Sequence, residues 1–384
     1  MPAISNDKYD VIVAGGGVIG LAIARELRKN GVRKIAIVER GNIGREASFA
    51  AAGMLAPQAE TDRPGTFFRF CMESNRLFPE FAAELQDETG IDIELDQTGT
   101  LYLALDEKAE DDADIRLEWQ KAAGLSVERL SASEVRSLEP ALSPEVRSAL
   151  LFPGDGQVEN RLLLSALAGY ADLNGVELLE NRRVEGLVLD GRRTVGVDTA
   201  AGKIFADTVV LATGAWTSLI EVAGSRLPFA VRPIRGQMIC FATRRRMLHH
   251  VVYGKDIYLV PRADGRILAG ATVEDVGFRK DVTDEAVNDL RASASRTLPR
   301  LDSLDIADRW SGLRPCSPDS LPVLGAFDGI EGVHIATAHY RNGILLSPLT
   351  AKLIAAALCE NVRSEYLDEF SASRFALAST SAVV

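Results

Sequence analysis

Cysteine and histidine are scarce in this chain, with four of each in 384 residues. Cys71, Cys240, Cys316 and Cys359 are scattered without a C-x-x-C pair, which argues against a disulfide framework or a cysteine zinc site. The histidines lack metal-ligand spacing, so no metal is expected. Long apolar runs are also missing. The longest, residues 344–359, is interrupted by Pro348 and Lys352 and falls short of the roughly 20 apolar residues of a membrane helix. Residues 1–8 are polar and no cleavable apolar segment follows, so no signal peptide and a cytoplasmic location are expected. Basic residues are outnumbered, 43 Lys+Arg against 54 Asp+Glu, and a net charge of −11 opposes nucleic-acid phosphates and anionic lipid. No fixed-period repeat is found. What remains is ordinary globular composition, 47% hydrophobic and 25% charged, in a chain long enough for two interlocked lobes.

The chain opens on a dinucleotide-binding pattern. Residues 9–14 (YDVIVA) read as a buried parallel strand. Gly15-Gly16-Gly17 follows, and residues 18–30 read as a helix ended by Gly31. Residues 34–38 are a second strand, ending at Glu39 and Arg40. Gly15, Gly17 and Gly20 thus form G-x-G-x-x-G between strand and helix, with Glu39 19 residues after Gly20. Gly15 permits the tight turn, Gly17 lets the backbone approach a pyrophosphate, and Gly20 lets helix and strand pack closely. The N–H groups of Val18 and Ile19 begin a helix whose positive end faces the phosphates. Glu39 accepts both ribose hydroxyls and repels a 2′-phosphate, which disfavours NADP.

NAD and FAD both use this unit, and three later segments bear on the choice. Residues 44–54 (GREASFAAAGM) join the second strand to a small-residue helix, where Ala47, Ser48, Ala52, Gly53 and Met54 allow close backbone approach. Residues 176–179, 184–189, 194–198 and 203–206 read as consecutive strands of a β-meander, with Asp190-Gly191 as a hairpin signal and Val184 placed against the adenine. The 207–211 strand leads into an A-T-G turn at Gly214. Near the C-terminus a strand at 333–337 precedes His339-Tyr340-Arg341-Asn342-Gly343 and a helix starting at Ile344 and Leu345. Its N-terminus suits the electron-rich edge of a reduced flavin.

The set of motifs VIVAGGGVIG at 11–20, AAAGML at 50–55, YLVPR at 258–262, GLRP at 312–315 and RNGILL at 341–346 resembles the D-amino-acid oxidase superfamily of FAD-dependent oxidoreductases, in its glycine oxidase branch. The resemblance spans nearly the whole chain in family order. It implies an α/β (α+β) fold in which a Rossmann-like FAD-binding domain (1–90, 150–222 and 318–384) is interleaved with an antiparallel-sheet substrate domain (91–149 and 223–317). It implies FAD as cofactor and a small amino acid and O2 as substrates, and a homo-oligomer is expected.

Residues 228–315 carry the substrate half. Strands are expected at 231–235, 237–241, 257–260, 266–269 and 306–313, with Asp264-Gly265 as a hairpin signal and Pro315 as the stop of the last. A substrate carboxylate is best held by a two-pronged guanidinium. By resemblance Arg314 grips it, Tyr258 hydrogen-bonds it, and Arg341 contacts the substrate beside the flavin. Asp256 stands where glycine oxidases have a histidine, and either pairs with the substrate ammonium or faces solvent. Cys316 lies near the region where sarcosine oxidases attach flavin, but the local pattern follows the non-covalent branch. The implied reaction is oxidative deamination of glycine, sarcosine or a small D-amino acid. A hydride passes to flavin N5, the imino acid hydrolyses to an oxo acid and ammonia, and O2 becomes H2O2. Supply of the imine for the thiamine thiazole is implied as well. An FAD dehydrogenase feeding a quinone or carrier, a catalytically idle FAD scaffold and an NAD dehydrogenase compete with this reading.

Four further features are read as structural. The 244–246 arginines with His249 and His250 are a solvated loop in an acidic chain. Phe67, Phe68, Phe70, Phe78 and Phe81 form a helical core face. Ser131 and Glu134 form a capping box, and residues 376–384 a frayed tail.

Overall fold

The computed structural model describes residues 8–375 except 223, 228, 244 and 255. The C-terminal tail at 376–384 and Arg244 of the arginine run lie outside the described residues. Two large sheets organise the chain.

The first is built on Tyr9–Ala14, which pairs in parallel with Ile35–Val38 on one side and Gly202–Leu211 on the other. Glu177–Leu179 extends it beyond Ile35–Val38, and Val333–Thr337 beyond Gly202–Leu211, both in parallel. The alternation of the central strand sets two cores. Val11 and Val13 pack with the Val18–Lys29, Thr66–Thr89, Asn160–Leu173 and Gly343–Cys359 helices, while Ile12 and Ala14 pack with Val184, Leu187, Val197 and Ile204. The Val18–Lys29 helix starts directly after Gly17 and ends before Gly31, whose φ of +86° suits only glycine. Arg25 in this helix is fully buried, donates to Glu84 and Glu88, and bolts it to the Thr66–Thr89 helix.

The β-meander has three strands, Val184–Asp190, Arg193–Thr199 and Gly202–Leu211. The expected fourth, at 176–179, belongs to the parallel layer instead. Its short apolar run carries no mark of its partner, and the preceding Asn160–Leu173 helix delivers it beside Ile35–Val38. The segment at 44–54 contains one helical turn, Ala47–Ala50, rather than a longer helix.

The second sheet has eight strands. In order they are Ile306–Cys316, Arg232–Phe241, Ile267–Gly270, Tyr258–Pro261, Val251–Tyr253, Thr100–Ala104, Ser148–Phe152 and Glu128–Ser131. All neighbours are antiparallel except Val251–Tyr253 with Thr100–Ala104. One face carries Ile239, Phe241, Leu259 and Ala269 against the Asp284–Thr297 helix. The other turns Met238, Tyr258 and Leu268 toward Ala52. Two expectations change here. Gly236 does not divide two strands, because Arg232–Phe241 is continuous. Pro315 does not stop the last strand, which runs to Cys316; it is an edge strand, where a missing N–H is tolerated.

Arg246 pairs with Asp96, and Glu139 accepts from the His250 ring and from the backbone N–H groups of His249 and His250, so this loop is structural. The capping box at Ser131 and Glu134 forms. Phe68, Phe70, Phe78 and Phe81 are buried in the Thr66–Thr89 helix. Among the described residues no helix is long and apolar enough to cross a membrane, and no cluster of metal-ligating side chains occurs.

Candidate active site

A cavity of about 840 Å3 runs between the two sheets. At one end lies the glycine turn. A Cβ on Gly15 would sit 2.3 Å from the Ala212 carbonyl oxygen, and one on Gly20 1.9 Å from that of Gly15, so strand, turn and helix touch only because these side chains are absent. Gly17 has open space beside it except for Ser48, whose hydroxyl accepts from Val18 N–H at 3.0 Å. The Glu39 carboxylate is fixed by Gly16 N–H at 2.8 Å and Gly41 N–H at 2.9 Å, and it faces the cavity. Arg40 lies over the Trp216 ring at 4.1 Å, and both line the cavity. Val184 and Gly214 complete this end.

The 47–54 segment is the wall between the sheets. Asn160 donates to the carbonyls of Ser48 and Phe49, and the buried Arg262 donates to that of Ala52. Gly53, at φ +73°, passes so close to Val158 that a Cβ would lie 2.1 Å from its carbonyl oxygen. Ala47, Ser48, Ala52, Gly53 and Met54 all line the cavity. Opposite them is the start of the Gly343–Cys359 helix, with His339, Tyr340, Arg341, Gly343 and Ile344 in the lining. His339 is buried, shares a hydrogen bond with Thr350 at 3.1 Å, and is pushed down to about 3 by burial, so its ring is neutral. Three expected residues do not line the cavity. Gly20 acts through packing, the Asn342 carbonyl accepts from Leu346 as the helix starts, and Leu345 is core.

At the other end the second sheet presents its functional face. A single register line runs Trp310, Met238, Gly270, Tyr258, Tyr253, Tyr102 across six strands. The three tyrosine rings stack at 6.4 and 5.6 Å. Tyr258 lies across Gly270, where a Cβ would come within 2.8 Å of the phenol oxygen. Burial raises the Tyr258 pKa, so the phenol stays protonated. Arg314 lies across Gly236, where a Cβ would come within 2.3 Å of Nη1 and 2.4 Å of Nη2 and Cζ. Its Nη1 donates to the Thr272 carbonyl at 3.0 Å. Gly312, directly opposite Gly236 in the ladder, admits Ala50 at the same edge.

Arg341 is committed to a buried pair. Its Nη2 donates to Glu60 at 2.8 Å and to the Tyr253 hydroxyl at 3.4 Å, and the Glu60 charge raises its pKa. Glu60, Met238 and Gly236 line the cavity and were not singled out from sequence, and Gly312, also in the lining, entered only as part of the GLRP motif. For the two glycines a signal existed, since glycine inside a strand often marks close approach. For Glu60 and Met238 there was none. Asp256 is exposed and outside the cavity lining, which settles it as a solvent-facing acid. Cys316 is buried and its thiol faces Ser317 O at 3.4 Å, also outside the lining.

The residues fit an FAD. The turn leaves room for a pyrophosphate at a helix N-terminus, a fixed acid stands at the ribose position, and the cavity continues past the dinucleotide cradle to a second helix start. The model of the FAD dependent oxidoreductase family matches residues 10–357. Glycine oxidase of Pseudomonas aeruginosa is 38% identical over 347 residues, 90% of this chain and 93% of that protein. The bifunctional protein ThiO/ThiG of Trichormus variabilis is 38% identical over 95% of this chain, which spans 55% of that longer protein. The crystal structure of glycine oxidase from Geobacillus kaustophilus superposes with a TM-score of 0.90 at 36% identity, over 96% of this chain and 99% of that one. The cradle, the register of the second sheet and these similarities agree: the chain belongs to the FAD dependent oxidoreductase family.

Proposed function

We infer that the protein is an FAD-dependent glycine oxidase, acting on glycine or a closely related small amino acid. The observation that carries this reading is that Arg314 and Tyr258 share one cavity with the dinucleotide cradle, in a chain similar to glycine oxidases at 36–38% identity. The cofactor half is assigned to residues 1–90, 150–222 and 318–384 and the substrate half to 91–149 and 223–317. The residues assigned to the cofactor are Gly15, Gly17, Val18, Ile19, Gly20, Glu39, Arg40, 47–48, 52–54, Val184, Gly214 and 339–345.

With Nη1 bonded to Thr272 and a further side-chain bond to Tyr258, the Arg314 guanidinium keeps its remaining N–H groups for a substrate carboxylate. The protonated Tyr258 phenol donates to the same group. Arg341 spends Nη2 on Glu60 and the Tyr253 hydroxyl and keeps its other N–H donors for a contact in the cavity. Its placement in the site keeps it in the assigned set with Arg314 and Tyr258. No cavity-lining histidine is placed as a base, since burial makes the His339 ring a weak proton acceptor and it is bonded to Thr350. The amine therefore enters as the free base and is oriented by its carboxylate alone. When bound, FAD supplies the two-electron oxidant for the amine carbon and O2 takes the electrons onward, giving peroxide and an imino acid that hydrolyses to glyoxylate and ammonia. A role in supplying the imine of the thiamine thiazole follows from the same reading.

The test is anaerobic addition of glycine to the purified yellow protein. Bleaching of the flavin bands, then peroxide on admitting air, supports the reading. Bleaching without peroxide favours the dehydrogenase alternative, and persistent bands with glycine, sarcosine and D-alanine refute an amino-acid substrate. Light scattering tests the proposed homo-oligomer.

A further inference from the structure

The face of the Arg232–Phe241 strand opposite the cavity carries a buried polar network. Gly236 faces Arg314, so its neighbours Arg235 and Gln237 point the other way. Both are buried there and both hold Glu274. Arg235 Nη2 and Gln237 Nε2 donate to the Glu274 carboxylate, and the Thr272 hydroxyl donates to its Oε1. The Thr272 hydroxyl in turn accepts from Gln237 N–H at 2.8 Å. Backbone bonds run in both directions between Arg235 and Glu274, at 2.9 and 3.0 Å. Arg235 Nη1 donates to the Asp281 carbonyl at 2.9 Å, and Gln237 accepts from Thr283 N–H at 2.8 Å, so the far end of the 271–283 loop is tied to the same strand. The loop thus continues the ladder where Ile267–Gly270 ends. Toward the site it presents the Thr272 carbonyl, which holds the cavity-lining Arg314.

We propose that Glu274 is a positioning residue for substrate recognition: its carboxylate locks Thr272, and the Thr272 carbonyl locks the Arg314 guanidinium in the orientation that receives a carboxylate. The proposal rests on the reading of Arg314 as the carboxylate grip. The carboxylate accepts three donors from three side chains at one point, and losing it frees Thr272 to rotate. A guanidinium displaced by about 1 Å loses substrate affinity by roughly 10- to 100-fold.

The probe is acetate, which has the carboxylate of glycine and no amine, titrated into the FAD-loaded protein and followed by the flavin absorption bands. Glu274→Ala is expected to raise the acetate Kd and the glycine KM together by about 10- to 100-fold, with kcat within about three-fold of the parent. Glu274→Gln, which keeps an acceptor for Thr272, is expected to recover most of this. In an Arg314→Ala background Glu274→Ala is expected to add nothing further, because the two act in series. Additive effects, or an unchanged acetate Kd in Glu274→Ala where Arg314→Ala raises it, overturn the proposal. An unchanged Kd in Arg314→Ala itself overturns the reading of Arg314, and with it the proposal. If Glu274→Ala does not fold, Thr272→Val removes the hydroxyl and keeps the carbonyl, and must show the same split between KM and kcat.

Discussion

Gly236→Ala is a substitution of one methyl group that should disable the site without disturbing the fold. The added Cβ would sit 2.3 Å from Arg314 Nη1 and 2.4 Å from Cζ and Nη2. Ordinary contact needs about 3.5 Å, so the guanidinium must retreat by about 1 Å. The atoms that clash are the far end of a flexible side chain, and Gly236 lies outside the left-handed region of φ, so the strand accepts alanine. In the unfolded chain alanine is less costly to order than glycine, and the melting temperature should hold or rise slightly. A displacement of about 1 Å in the group that orients the substrate predicts a loss of roughly 100-fold in kcat/KM, carried by KM. The assay is peroxide release with glycine, alongside flavin content and a thermal melt. A kcat/KM within about three-fold of the parent, at normal flavin content, would refute the argument that Arg314 in its present position holds the carboxylate.

Other outcomes are open to measurement. Arg314→Ala leaves a bound carboxylate unpaired, a cost of about 2–5 kcal/mol, and should raise the glycine KM roughly 30- to 5,000-fold; an unchanged KM would remove Arg314 from the site. Gly20→Ala forces the helix off the Gly15 carbonyl at 1.9 Å, and should lower both flavin content and melting temperature, readable in one absorbance scan and one melt. Burial pushes the Asp155 carboxyl up to about 8, against the lowering effect of the bonds it accepts from Gln58 and Ala59 N–H. The native state therefore holds a proton that the unfolded chain releases near pH 4, and stability falls as pH rises from about 4 to about 8. Asp155→Asn should flatten that slope; equal slopes for both proteins between about pH 5 and 9 would contradict it.

The dinucleotide unit was readable in sequence because its physics is local: strand, turn glycines and helix lie within 30 residues and each constrains the next. The helix at 343–359 was readable for the same reason. Partners were not. The 176–179 strand looks the same whether it closes a meander or extends a parallel layer, and only the packing of the preceding helix decides. Gly236 read as a break because the side chain it makes room for, Arg314, stands 78 residues later. The pairing of Arg341 with Glu60 was not readable because the two stand 281 residues apart. Glu60 and Met238 sit in segments with no motif, so neither composition nor spacing singles them out.

The central strand of the first sheet has a consequence for how the protein is made. Val11 pairs with Ile35 on one side and with Thr208 on the other. At about 5–20 residues per second on a ribosome, the second edge stays open for roughly 10–40 s after the first has closed. Over that interval an apolar strand with free N–H and C=O groups is exposed, which is the condition for mispairing with another nascent chain. The last parallel strand of this layer to be made, Val333–Thr337, docks on the Gly202–Leu211 strand later still. A chaperone that shields extended segments should therefore raise the yield of native protein far more during synthesis than during refolding of the complete chain.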